Sequence, residues 1–311
     1  MVYELAQQDE RVLFIGSDLG PDVLNDFKKN IPDRFFMEGI AEQHIIGMAA
    51  GLAFDGFIPY VNTIAVFLTR RCFEQVTLDL CLHDLPVKLI GNGGGLVYAP
   101  LGPTHQAIED IGILRTLPNM TIVAPCDAEE MKRLMNASID WPHPLYIRLA
   151  KGGDPIVSKP ELDFKIGKGI HLKKGDDVLF ITTGITTQRA LAAAQYLTDE
   201  KVDCGVFHMH TIKPLDTQAI LDHAAGVPVI VAVEEHTSIG GLGTAVAEVV
   251  AEANFDPGKR FKRIGIPDVF ADEYGSQDNL MEKYSITTQN LVSTVRSLVS
   301  MKPKSLHAVK S

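Results

Sequence analysis

The sequence predicts an α/β protein of two domains, each a mostly parallel sheet flanked by helices. Short apolar runs alternate with segments of helical periodicity, as crossovers between parallel strands require. The alternation stops at a polar stretch holding Gly152, Gly153, Pro155 and Pro160, then restarts, which marks a linker. The 311 residues also suit about two domains of ordinary size.

In the first half, strands are predicted at residues 12–16, 35–37, 58–61, 87–91, 121–124 and 145–149. Helices are expected over 41–53, where Ile45, Ile46, Ala49, Ala50 and Ala53 form an apolar face, and over 67–83, where Phe67, Cys72, Val76 and Leu80 do so. Asp127, followed by Glu130, reads as the cap of a third helix running to Ile139. In the second half, strands are predicted at 178–182, 202–208 and 229–233, and helices at 188–198, 217–223, 243–253 and 288–299. The expected division is 1–152, a linker at 153–165, a second domain at 166–301 and a tail at 302–311.

Composition narrows the function. Lys plus Arg number 29 against 39 Asp plus Glu, a net charge of −10, which argues against nucleic acid or an anionic membrane surface as a partner. The longest nearly uncharged apolar stretch, 45–54, is broken by glycines and followed by Asp55, too short to cross a bilayer. The amino terminus lacks the basic and apolar regions of a secretory signal, and Cys72, Cys81, Cys126 and Cys204 are too scattered for a zinc site or a disulfide framework. A cytoplasmic protein with reduced thiols is expected.

The sharpest local signal lies between Phe35 and Val61, where a strand leads through Gly39 into a helix with Glu42 in its first turn and His44 close behind. On that ground alone Glu42 is a surface residue complementing the helix dipole. Gly47, Ala49, Ala50, Gly51 and Ala53, however, suit a helix packed closely against another backbone, which would bury the carboxyl group.

With EGIAEQHIIGMAAGLA, VFLTRRCFEQV, GPTHQAIEDIGILRTLPNMTIVAPCDAEE, YIRL, IKPLD and VEEHTSIGGLGTAVAE in this order, the chain resembles the transketolase family of thiamine diphosphate enzymes and the related deoxyxylulose phosphate synthases. The resemblance implies a pyrimidine-binding domain followed by the family's C-terminal domain. It places Glu42 as the catalytic glutamate at N1′ of the cofactor's aminopyrimidine, and Phe67 as the aromatic residue stacked on that ring. Ile64 and Arg70 fall where further contacts to the ring occur, and Asp18 resembles an aspartate near the cofactor across a subunit contact. His105 matches a histidine facing the substrate carbonyl, and His44 is expected to orient Glu42 or its neighbours.

The chain also departs from the family pattern. Tyr98-Ala99-Pro100-Leu101 replaces an acidic run, so Leu101 stands where an aspartate contacts the sugar hydroxyl. Gly93 stands near a histidine and Asp22 near a serine of members that handle sugar phosphates; of the usual phosphate ligands only Arg148 is kept. These changes imply an altered donor or acceptor.

The family holds the diphosphate and a magnesium ion through a GDG motif and a following asparagine on a separate domain, a pattern this sequence lacks. Gly175-Asp176-Asp177 reads as a turn, and the glycine-rich run 233–245 as a helix start at a subunit contact. The resemblance therefore implies a partner subunit that carries the diphosphate domain and the Mg²⁺ ligands, with two copies of each chain in the assembly. The expected activity is transfer of a two-carbon ketol or acyl unit from a ketose or 2-oxoacid to an aldehyde. The alternatives are the β subunit of a 2-oxoacid dehydrogenase first component, against which AEQH, THQAIED and IKPLD weigh, and a non-catalytic subunit, against which Glu42, Phe67 and His105 weigh.

Overall fold

The computed structural model describes residues 1–17 and 24–300, so the candidates Asp18 and Asp22 lie outside the described residues. The first unit runs α1 (Val2–Gln8), β1 (Val12–Gly16), α2 (Asn25–Asn30), β2 (Phe35–Met37), α3 (Glu42–Phe54), β3 (Ile58–Ile64), α4 (Phe73–Gln75), β4 (Lys88–Asn92), α5 (Asp110–Arg115), β5 (Thr121–Val123), α6 (Ala128–Ser138) and β6 (Leu145–Arg148). The second runs β7 (Ile170–Lys173), β8 (Val178–Thr182), α7 (Thr186–Asp199), β9 (Cys204–His208), β10 (Thr211–Lys213), α8 (Thr217–Ala225), β11 (Val229–Thr237), α9 (Leu242–Glu252), β12 (Arg260–Ile266), α10 (Gln277–Lys283) and α11 (Thr288–Ser300).

The first sheet has the order β10-β5-β6-β4-β3-β1-β2, parallel except for β10. Its central strands are largely apolar because both faces are covered. Leu13, Ile15, Val61, Leu89 and Ile122 pack on one face against α3, while Val12, Phe14, Tyr60, Ile90 and Val123 pack on the other against α1 and α6. The second sheet, β12-β11-β8-β9-β7, is parallel except for the edge strand β7. Val178 and Phe180 face α7 and α11; Leu179 and Ile181 face α8 and α9.

The helix expected over 67–83 is broken. A π-helical turn (Phe67–Arg71) leads into α4, and a second π-helical segment (Val76–Leu82) follows. The Thr69 and Thr77 hydroxyls donate to the carbonyls of Ala65 and Phe73 four residues back, competition with the backbone ladder that bends helices. The α6 cap is close to the one expected: Asp127 Oδ1 accepts from Glu130 N (2.9 Å). Glu130, however, turns to Cys126 N (2.7 Å) rather than back to the cap residue. Asp127 Oδ2 also accepts from Val157 N and Ser158 N, tying the linker down.

Polar groups lock the two units together. Thr237 N donates to Ile108 O, Gly112 N to His236 Nε2 (3.1 Å), and Arg115 Nη1 to Gly240 O (2.6 Å). On the far side of the junction, His208 Nε2 lies 2.8 Å from Glu130 Oε2, both side chains fully buried. The run 233–245 forms a helix start: Glu234 accepts from Leu242 N and Gly243 N, and a Cβ on Gly241 would come within 2.0 Å of that carboxylate. The amide groups that resemble a phosphate cradle therefore already have an anion, supplied by the chain itself. Among the described residues, no helix is long and apolar enough to cross a membrane.

Candidate active site

Strands β4, β3, β1 and β2 lie side by side and point the same way, so the loops leaving their carboxyl ends share one edge of the sheet. Ligands of open α/β sheets bind at such an edge. The loop after β2 delivers Glu42 in the first turn of α3. The loop after β3 delivers Phe67, and the long segment after β4 carries Gly93, Leu101 and His105.

Glu42 is only 3 % exposed. Its Oε2 accepts a hydrogen bond from Arg71 Nη1 at 2.7 Å. The same guanidinium lies over the half-buried Phe67 ring, with Cζ 4.2 Å from the centroid, a cation–π contact. The His105 ring meets Phe67 edge-on at 5.3 Å. Carboxylate, guanidinium, phenyl ring and imidazole thus follow one another, and the last three line a cavity of about 910 Å³ that includes Arg70 and Asp272. Ile64 packs beside Phe67 against Ala65, Val66 and Ala107, supplying an apolar wall.

Arg70 borders the same cavity but makes different contacts. It pairs with Glu109 at 3.1 Å and donates to Thr104 O, bracing the loop that carries His105. Thr104 Oγ1, 2.8 Å from His105 Nδ1, fixes the imidazole further. His44 is largely exposed and lies 4.0 Å from Glu38, so it does not orient Glu42.

Three candidates lie on the substrate side. Arg148 is 7 % exposed, and its donors serve the junction: Nε donates to Asp110 Oδ2 (2.8 Å), and Nη2 to Ala107 O (3.0 Å) and Glu235 O (2.9 Å). Asp110 neutralises its charge, and these contacts make it a brace between the two units. Gly93 has φ +73°, and a Cβ there would stand 2.1 Å from the Tyr98 ring, so that ring fills the place of any side chain at 93. Leu101 is 48 % exposed on the turn before the His105 loop and offers no polar atom from its side chain.

Sequence reading passed over two residues. Arg71 stands in the VFLTRRCFEQV string, but nothing local distinguishes it from Arg70. Gln106, inside GPTHQ, is 1 % exposed, and neither of its side-chain amide atoms has a partner. Buried amides are normally paired, so an orphaned one next to His105 is a functional signal visible only in three dimensions. Among the described residues the cluster with metal-ligand chemistry is Cys126, Glu130 and His208, which lies in the junction and not at this edge. There Glu130 Oε2 is already shared by Cys126 N and His208.

Two mostly parallel sheets covered on both faces, with a buried glutamate and an aromatic ring bridged by a guanidinium at the carboxyl edge of the first, define an α/β chain of the kind that binds a ligand at that edge. Residues 1–153 match the family profile "Transketolase, pyrimidine binding domain", and residues 167–291 match "Transketolase, C-terminal domain". The chain belongs to the transketolase family, whose transferases depend on thiamine diphosphate. It is 36% identical over 298 residues to one of the subunits of the apulose-4-phosphate transketolase of Phocaeicola vulgatus, covering 95% of this chain and 94% of that protein. It is 33% identical over 303 residues to the 6-deoxy-6-sulfo-D-fructose transketolase subunit SqwH of Clostridium sp. (strain MSTE9), covering 97% and 93%. A solved "split gene transketolase, inactive beta4 tetramer" superposes with a TM-score of 0.87 at 37% identity, over 97% of this chain and 96% of that one.

Proposed function

We propose that this chain is the pyrimidine-binding subunit of a two-chain, thiamine diphosphate-dependent transketolase. It transfers a two-carbon unit from a ketose or 2-oxoacid donor to an aldehyde acceptor in a two-plus-two assembly with a chain that carries the diphosphate domain and the Mg²⁺ ligands. The observation that carries this reading is that the buried Glu42 carboxyl group and the face of Phe67 are both within reach of one guanidinium, that of Arg71. A planar, nitrogen-bearing group, the Arg71 guanidinium, already stacks on that ring and hydrogen-bonds to that carboxylate, so the two groups fit an aminopyrimidine.

In this mechanism Phe67 orients the aminopyrimidine by stacking, while Ile64 closes its apolar side. Glu42, shielded from water, shares a proton with the ring nitrogen N1′. Bound thiamine diphosphate supplies a nucleophilic carbon and an electron sink. His105, held by Thr104, offers its free ring nitrogen to the oxygen of the reacting carbonyl, where it can donate a hydrogen bond and move a proton. The loop braced by Arg70 and Glu109 keeps the imidazole at its distance from Phe67.

The substrate side supports an altered specificity. Leu101 supplies no carboxylate, the Tyr98 ring occupies the side-chain space of Gly93, and Arg148 is consumed by Asp110. A sugar phosphate read by those three positions therefore loses its polar partners. The Phocaeicola relative is named for apulose-4-phosphate, itself a sugar phosphate, and the Clostridium relative for 6-deoxy-6-sulfo-D-fructose, which carries a sulfo group instead. The test is product analysis of the co-purified two-chain complex with ketose and 2-oxoacid donors, for wild type and Glu42→Ala. The variant should lose at least about 10²-fold in turnover, and full activity without Glu42 would refute the site. Ordinary efficiency with xylulose 5-phosphate and ribose 5-phosphate would refute the altered specificity.

A further inference from the structure

Arg71 makes both contacts that the proposed function reserves for the cofactor ring. Its Nη1 donates to Glu42 Oε2 at 2.7 Å, and its planar head lies 4.2 Å above Phe67. A ring stacked on Phe67 with a nitrogen at Glu42 needs the same volume and the same carboxylate. Charge points the same way: a carboxylate paired to a guanidinium is an acceptor only, whereas sharing a proton with N1′ calls for a carboxyl group free of that cation.

Arg71 is also built to leave. It is 43 % exposed, it borders the open cavity of about 910 Å³, and apart from Glu42 and the Phe67 face its guanidinium has no partner among the described residues. Its backbone sits in the π-helical turn Phe67–Arg71, and Gln43 Nε2 donates to its carbonyl at 3.2 Å, so the backbone stays anchored to α3 while the side chain moves. Wide helical turns of this kind concentrate at functional sites.

We infer that Arg71 is a built-in occupant of the aminopyrimidine seat, so that cofactor entry and guanidinium departure are one exchange. Resting on the proposed site, this makes Arg71 the residue that sets apparent cofactor affinity. A seat occupied by its own side chain for most of the time weakens apparent binding by the reciprocal of the open fraction.

The test is the dissociation constant of thiamine diphosphate with Mg²⁺, measured by calorimetry on the two-chain complex for wild type, Arg71→Met, Arg71→Lys, Phe67→Ala and Glu42→Gln, with thermal melts to verify folding. Arg71→Met should bind about tenfold more tightly than wild type, as expected if the seat is open about a tenth of the time. Arg71→Lys, which keeps the charge but loses the planar stack, should fall between them. Unchanged or weaker binding by Arg71→Met, while Phe67→Ala and Glu42→Gln both weaken it, overturns the exchange and leaves the site reading standing. Unchanged binding in Phe67→Ala and Glu42→Gln overturns the site reading itself, and this inference with it.

Discussion

Replacing Arg148 by methionine keeps the aliphatic stem and deletes three hydrogen bonds at the centre of the domain junction: one to the Asp110 carboxylate and two to the carbonyls of Ala107 and Glu235. Asp110 is then left buried with the Tyr146 hydroxyl as its remaining hydrogen-bond donor (2.7 Å), its Oδ1 without a hydrogen bond and 4.0 Å from the buried His236 Nε2. An uncompensated buried charge of this kind costs about 3–5 kcal/mol, a large share of the roughly 5–15 kcal/mol that holds a domain together. The assay is urea unfolding of wild type, Arg148→Met, Asp110→Asn and the double variant. The single Arg148 variant should lose about 4 kcal/mol, and the double variant should recover part of that loss, giving a coupling of about 2 kcal/mol. Stability within about 0.5 kcal/mol of wild type, the behaviour of an ordinary surface residue, would refute the brace and return Arg148 to the substrate side.

Burial pushes the His210 imidazole down to about 3. The folded chain thus refuses a proton that the unfolded chain accepts below its ordinary value of about 6.5. Stability should therefore fall as pH drops from about 6.5 towards 3, by about 1.4 kcal/mol per pH unit relative to His210→Gln; parallel pH profiles for the two proteins would contradict this. Gln106→Met removes two orphaned buried amide atoms and should stabilise the isolated chain by about 1 kcal/mol while lowering turnover of the two-chain complex; a destabilised variant with intact turnover would rule out a functional role. Burial alone would raise Asp127, but the N–H groups of Glu130, Ser158 and Val157 and the Ser158 hydroxyl outweigh it and hold its carboxyl at about 2. Asp127→Ala should cost about 2 kcal/mol and expose the 153–165 segment to limited proteolysis, and an unchanged cleavage pattern would show that the linker is anchored elsewhere.

The sequence revealed elements whose hydrophobic period is local and strong. The strands Val12–Gly16, Phe35–Met37 and Val178–Thr182 stand at the predicted residues because alternate side chains feed opposite cores. The strands β7, β10 and β12 were not legible: each is interrupted by polar residues, unlike the short but wholly apolar β2, so what defines them is the neighbour they pair with. In the site, the string around Glu42 carried its burial through the small residues of α3. The different partners of Arg70 and Arg71, Glu109 for one and Glu42 for the other, depend on residues distant in sequence that no periodicity announces. Arg148 misleads for the same reason, since YIRL does not reveal that Asp110, 38 residues upstream, meets it.

Strand β10 pairs with β5 although the chain has by then already laid down three strands of the other sheet. On the ribosome the first sheet therefore cannot close its far border until residue 213 has emerged, and until then β5 offers unpaired amides to any passing strand. A gene cut at the 153–165 segment would make that exposure permanent. The pyrimidine-binding part is thus not a module to be excised at its linker, and a soluble fragment would have to retain Thr211–Lys213 or a substitute for it.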